Sequence, residues 1–314
     1  MTCYFAKLDQ EALLHLQGPD ALAFLQGQVT CDTRSVTPAA ALPGTSCTAQ
    51  GRVVADFLLC APAADHAILR LRREVRAVLA ELLSRYIVFS KASVDPERDD
   101  WQVLACWGTG AADALHQIFG TLPQEQYGVC VGDGYILVQI DAAGQQYECY
   151  LAHDADKDPR PQIEELMEAG TEPQWQVLQI ASGIARIEAA TTGEFIPQLH
   201  NYDVTGHISF SKGCYTGQEV VARMHYRGKP KRRLYLASAS GEDLTTRQPA
   251  AGDPLYSAGS TQPAGHVINA ATARSPDVEL LVTATVKGID EGLTLFDHNG
   301  PLLTTGPVPY PIPE

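Results

Sequence analysis

The sequence predicts an α+β protein of several domains that closes with a small antiparallel β-barrel. Three observations lead there. Its 314 residues exceed what one hydrophobic core usually encloses. Helical and strand-like stretches are mixed through residue 232 without an internal repeat. From Leu234 onward the runs "RLYLASA", "PLYSAG", "GHVINAAT", "ELLVTATVKG" and "LTLFD" are short, β-like and separated by Gly, Pro, Asp and Asn.

Taken in order, "GPDALAFLQGQ" reads as a short helix, with Pro19 in the first turn, Asp20 near its positive end and Gly27 as a stop. "RVVADFLLC" and "HAILRLR" read as neighbouring strands. "REVRAVLAELLSRYIVF" begins as an amphipathic helix with Val75, Val78, Leu79 and Leu82 on one stripe. Polar connections at "SVDPERDD" and "HDADKDPRPQ" bracket a second α+β unit that contains "YILVQID". "TEPQWQVLQIASG" is the next helix: Pro173 suits its first turn, Trp175 and Leu178 share a face, and Gly183 ends it. "IARIEAA" reads as extended.

Composition narrows the function classes. An apolar fraction of 45% and a charged fraction of 19% describe a folded soluble protein. A net charge of −14 argues against a general nucleic-acid coat or a membrane-surface protein. Residues 207–233 run the other way, with seven Lys or Arg against the single acid Glu219. The N-terminal stretch lacks the basic and apolar regions of a secretory signal, and no apolar run reaches membrane-span length. Eight dispersed cysteines without a C-x-x-C pair point to reduced thiols and a cytoplasmic address.

Chemistry concentrates in "SFSKGCYTGQEVVARMHYRGKPKRR". Thr216 to Glu219 matches a capping box, predicting a helix from Gly217 to Arg227 with Gly228 at C′ and Pro230 beyond. Val220, Val221 and Met224 form its expected buried stripe. Cys214 precedes that helix, with Gly213 and Lys212 beside it. A helix N-terminus and an ammonium both favour a thiolate, so Cys214 is the candidate reactive thiol and Lys212 its candidate activator. Cys60, in an apolar strand, reads as an inert core thiol. Val220 stands where a phosphatase loop needs arginine. His200, His207 and His225 lack zinc-ligand spacing, and "VGDGYI" is a turn rather than a dinucleotide fingerprint. No permanent metal is expected.

The octet Lys212-Gly213-Cys214-Tyr215-Thr216-Gly217-Gln218-Glu219, continuing to Arg223, closely resembles the signature of the YgfZ family of folate-binding proteins. Its relatives act in iron–sulfur maturation, and its fold group is that of the glycine-cleavage T-proteins (aminomethyltransferases). "GPDALAFLQGQVTCD", "FSKASV" and "GIARIEAATTGEFIPQ" add to the resemblance. The resemblance implies an N-terminal domain of residues 1–99 plus 163–232, a middle domain of 100–162 and a C-terminal β-barrel of 233–314, arranged around a central cavity for tetrahydrofolate. It further implies that Trp175 lies against the folate and that Glu188 receives the pterin ring. Physically, an indole face stacks on a flat heterocycle and a carboxylate accepts paired N–H bonds. Asp56 stands where T-proteins carry a functional acid, but in "AD" rather than "DD". Glu11 stands where family members place an aromatic.

Three functions follow. The leading one is a monomeric, folate-binding accessory factor for the synthesis or repair of iron–sulfur proteins such as tRNA-modifying enzymes, with Cys214 as a redox partner or a transient cluster or sulfur ligand. The second is a folate-dependent one-carbon transferase using Asp56. The third is a non-catalytic module that grips RNA or an acidic protein through Arg223 to Arg233.

Overall fold

A computed structural model describes residues 2–154, 157–257 and 260–313. Two residues of the predicted connection at 153–162, and the last two of "PLYSAG", therefore lie outside the described residues. The backbone packs into two units, Met1–Ser46 with Asp56–Trp175 and Ser211–Tyr215, and Cys47–Ala55 with Gln176–Phe210 and Thr216–Glu314.

Two sheets carry the first unit. One orders its strands Glu168–Ala169, Tyr4–Lys7, Trp101–Trp107, Gln146–Ala152, Tyr135–Gln139 and Val129–Gly132. Its pairings are antiparallel except between Tyr4–Lys7 and Glu168–Ala169. The middle segment thus builds its sheet partly from the chain's first residues. Helix Ala111–Phe119 covers one face, and Leu104, Cys106, Leu115, Leu137, Tyr147 and Cys149 share the resulting core.

The other sheet runs Leu42–Cys47, Val53–Ala63, His66–Arg72, Glu11–Gln17 and Ser93–Asp95. "RVVADFLLC" and "HAILRLR" are neighbours as expected, with Leu59 opposite Leu69. Helix Arg73–Ser84 buries Val75, Leu79, Ala80 and Leu83, while Val78 is 44% exposed. The stripe is rotated from the predicted one because Val75, Leu79 and Leu83 keep strict i, i+4 spacing, which leaves Val78 on the flank.

In the second unit the order is Leu293–Leu295, Pro254–Ser257, Pro263–Arg274, Asp277–Thr285, Arg232–Ala239 and Thr304–Gly306. Register shifts at Val267/Asn269 and Ala271/Arg274 place bulges in the long strand, and bulges bend a strand and increase its twist. Leu255, Val267, Leu280, Val282, Leu293 and Leu295 fill the inner face. The sheet curls as an antiparallel half-barrel, and its first edge strand bonds to the segment that leads into the last one, with Leu295 N donating to Pro301 O at 2.9 Å and Leu303 N to Leu293 O at 2.8 Å. "IARIEAA" is not a strand. Its backbone is held by side chains instead, with Tyr202 Oη donating to Ala185 O at 2.8 Å.

Helix Glu172–Ala181 forms where predicted, and Gly183 follows it with φ +73°. No helix among the described residues is long and apolar enough to cross a membrane.

Candidate functional site

The Cys214 loop is shaped by side chains that alternate in and out. Lys212 is 5% exposed and Tyr215 7%, whereas Gly213 and Cys214 face outward. Lys212 Nζ donates to Gln26 O at 2.8 Å, Val29 O at 2.6 Å and Cys31 O at 2.7 Å. An ammonium has three protons, so all its donors are taken. The same nitrogen lies 5.2 Å from the Tyr215 ring centroid. Burial lowers the Lys212 pKa to about 8, against the raising influence of Cys31 and Asp32, so the group remains cationic at neutral pH. Lys212 is therefore an anchor. The ammonium expected to activate Cys214 is committed to backbone carbonyls.

Of eight free cysteines, Cys214 alone is exposed; Cys130 is half-buried and six are buried. Burial pushes the Cys60 and Cys31 thiols up to about 12, which fits the inert role expected of Cys60.

The predicted capping box is not formed. Helix Gln218–Arg227 starts one residue later, with Gly217 as N-cap at φ +86° and no side-chain cap bond. A Cβ at Gly217 would sit 2.5 Å from Thr48 O, so a left-handed glycine sets the helix entry in place of Thr216. Gln218 and Glu219 open the helix. Gly228 ends it in an extended conformation rather than the αL conformation expected at C′, and a Cβ there would meet Met224 Sδ at 2.4 Å. Of the predicted stripe, Val221 is buried, while Val220 and Met224 are half-buried. Gln198 Nε2 donates to Val221 O at 2.9 Å and holds this helix.

Asp56, 3% exposed, belongs to a buried ionic cluster in the first unit. Arg70 Nε lies 2.8 Å from Glu148 Oε2, and Arg70 also approaches Glu11 at 3.6 Å. Arg72 pairs with Glu11 at 3.1 Å, and Tyr150 Oη donates to Glu148 at 3.0 Å. Burial would lower the Arg70 pKa, but Glu148, Glu11, Tyr150 and Asp56 reverse this and hold it well above its usual value. Asp56 thus helps keep a buried guanidinium charged. Glu11, in place of an aromatic, is part of the same cluster.

Sequence reasoning missed Arg70, Arg72 and Glu148. Their signal was the pair of arginines two apart in "HAILRLR", which puts both on one face of a strand. Glu172 was missed as well. It accepts from Asp9 N and Gln10 N at 3.1 Å each, and its pKa is raised, chiefly by burial.

Trp175 is 3% exposed and packs on Trp107 with ring centroids 5.8 Å apart; Trp107 in turn contacts Tyr4. In the second unit Glu188 is half-buried, and its Oε1 accepts from Asn269 Nδ2 at 2.8 Å. Asn269 also exchanges two 2.8 Å bonds with the backbone of Arg186. One amide therefore fixes both the segment and the carboxylate. His207 stacks on Tyr202 and His225 on Phe210, and no group of three or more metal-ligating side chains occurs among the described residues. The sites divide between the units: Asp56, Trp175, Lys212, Cys214 and Tyr215 in the first, Glu188, Thr216 to Glu219 and Arg223 in the second.

No protein-family model matches the chain. Curated relatives do. It is 31% identical over 310 residues to a protein of Pectobacterium atrosepticum named tRNA-modifying protein YgfZ, covering 98% of this chain and 91% of that one. Proteins of the same name from Klebsiella pneumoniae and Escherichia coli O157:H7 are each 34% identical over 248 residues, which is 79% of this chain and 74% of theirs. Among solved structures, the aminomethyltransferase T of the glycine cleavage system from Bartonella henselae superposes with a TM-score of 0.76 at 14% identity, covering 98% of this chain and 85% of that one. That likeness is one of fold.

Proposed function

Because the chain belongs to the YgfZ family of tRNA-modifying proteins, we propose that it is a folate-binding accessory factor for the synthesis or repair of iron–sulfur proteins, tRNA-modifying enzymes among them. Cys214 is its working thiol. The observation that carries this reading is the exposure of Cys214, alone among eight cysteines, on a loop pinned from inside by Lys212. An accessible thiol on a fixed backbone is suited to transient ligation of a cluster or its sulfur, because the partner must both reach it and leave. Gly213 adds no side chain that would crowd the approach; a Cβ there would meet nothing within 4 Å.

For folate, Glu188 fits the role of carboxylate acceptor, since Asn269 orients it and leaves it half-exposed. Trp175, 3% exposed and packed on Trp107, contributes to folate binding from within the core rather than as an open stacking face. When bound, tetrahydrofolate supplies a carrier of one-carbon units. Asp56 is assigned to the Arg70 cluster and not to the chemistry.

The reading is tested in cells lacking the protein, complemented with wild-type or Cys214→Ala, by measuring the tRNA nucleosides made by iron–sulfur enzymes. Wild-type should restore them and Cys214→Ala should not. Full restoration by Cys214→Ala would overturn the thiol role. Separately, titration of tetrahydrofolate into the pure protein should change tryptophan fluorescence and be weakened by Glu188→Gln. No change with either folate or tetrahydrofolate would remove the cofactor from the proposal.

A further inference from the structure

We infer that helix Gln218–Arg227 and the 229–231 stretch after it form an RNA-binding surface, with Arg223, Arg227, Lys229 and Lys231 on phosphates and Tyr226 stacked on an exposed base. The surface is independent of the folate and thiol chemistry.

The structure sorts the cationic segment into two classes. Three cations have internal work. Lys212 is buried on three carbonyls, Arg232 donates to Pro263 O at 3.1 Å, and Arg233 pairs with Asp203 at 2.7 Å and donates to Gln198 O at 3.0 Å. The other four, Arg223, Arg227, Lys229 and Lys231, are exposed, and none has an ion pair or hydrogen bond among the described residues. Glu219 is the one acid on the helix, a full turn before Arg223 and unpaired with it. Four unpaired cations within nine residues are a concentrated exception on a chain of net charge −14.

Charge alone would suit any polyanion. The aromatic side chains on the same helix make the distinction. Tyr226 is 68% exposed and sits edge-on to His225, with ring centroids 4.8 Å apart. His225 stacks on Phe210 at 3.7 Å and 15°. Phe210 supports the His225 ring from below, and the tyrosine ring is left open to solvent. A cationic strip beside a fixed, exposed aromatic is how sequence-tolerant proteins hold single-stranded nucleic acid, the cations tracking the backbone and the ring taking a base face. An acidic protein would use the cations and have no need of the ring.

The test uses the full-length protein, an unmodified tRNA transcript and, as a polyanion without bases, poly-aspartate, with binding followed by fluorescence anisotropy. Wild-type should bind the transcript with log K falling against log[salt] at a slope of about −3, as expected for some four neutralised phosphates. Replacing Arg223, Arg227, Lys229 and Lys231 by Gln should weaken binding at least tenfold at 50 mM salt and flatten the slope to a magnitude below about 1. Tyr226→Ala should weaken tRNA binding about five- to tenfold at an unchanged slope, and leave poly-aspartate unaffected. The altered residues are exposed, so unchanged urea midpoints and unchanged Cys214 thiol reactivity control for folding. Cys214→Ala should bind tRNA normally, which separates this surface from the thiol reading. Absence of saturable tRNA binding at 50 mM salt, full binding by the four-Gln variant, or poly-aspartate binding as well as tRNA with no effect of Tyr226→Ala would each overturn the inference.

Discussion

Lys212→Met removes a buried cation while keeping most of the side-chain volume, and leaves the carbonyls of Gln26, Val29 and Cys31 without their shared donor. Hydrogen bonds to a charged group contribute about 1.5–3 kcal/mol each, and a buried acceptor left unsatisfied costs about 1–3 kcal/mol. The three do not add independently, because one desolvated ammonium serves all of them, and the substitution also relieves its burial. A net loss of about 3–5 kcal/mol follows. All three tryptophans, Trp101, Trp107 and Trp175, lie in the same unit as Lys212, so their fluorescence reports its unfolding. With a urea m-value of about 2–3 kcal/mol/M, the midpoint should fall by about 1–2.5 M. Under native conditions Cys214 should also change its reaction rate with a thiol reagent, since its loop loses the anchor two residues away. A midpoint shift below about 0.3 M would mean that other donors satisfy the carbonyls, and the anchor argument would fail.

Other outcomes follow from the same geometry. In native protein a thiol titration should show one fast cysteine, abolished by Cys214→Ser, a slower Cys130 and six that react only after unfolding. Asn269→Leu should cost about 2–4 kcal/mol in thermal or urea unfolding, because it strips two bonds from the Arg186 backbone and one from Glu188. Gly217→Ala should destabilise by about 1–3 kcal/mol, since its φ of +86° and the Thr48 carbonyl both oppose a side chain.

Acid stability should depend on the His15–His66 pair, whose rings meet at 2.9 Å. Burial lowers both pKa values, that of His15 to about 3, with Arg98 adding to the effect and Asp100 opposing it. Below about pH 6.5 the unfolded chain then binds more protons than the native one, so stability is lost as pH falls from there. The urea midpoint of His66→Gln should depend less steeply on pH between 6.5 and 5 than that of wild-type, and an equal slope would refute the assignment.

Local patterns in the sequence were enough for the elements that depend on local patterns. The strands "RVVADFLLC" and "HAILRLR", the helix around Trp175 and the one after Cys214 all form within three residues of expectation, because alternation, helical spacing and Gly or Pro stops are properties of neighbouring residues. The family followed from the octet around Cys214. Errors arose where a distant contact overrode a local signal. The Thr216–Glu219 pattern fits a capping box, yet the approach of the Thr48 carbonyl makes Gly217 the cap. The β-rich C-terminus marked the strands, while their order in the sheet came from the pairing of distant segments.

Burial and partnership lay beyond the sequence altogether. Lys212 looked like an activator because Cys214 is two residues away, and the carbonyls that claim it are more than 180 residues distant along the chain. Nothing local in the sequence groups Arg70, Arg72, Glu11 and Glu148, and only the packing of two sheets brings them into one buried cluster. The seven cations of 207–233 were one run in the sequence; the fold commits three to internal bonds and leaves four exposed. The sequence by itself determined most secondary elements and the family, and it singled out Cys214, the cysteine that the fold leaves exposed. Tertiary structure decided what each charge does, because a charge's role depends on which groups replace its water, and those groups come from everywhere in the chain.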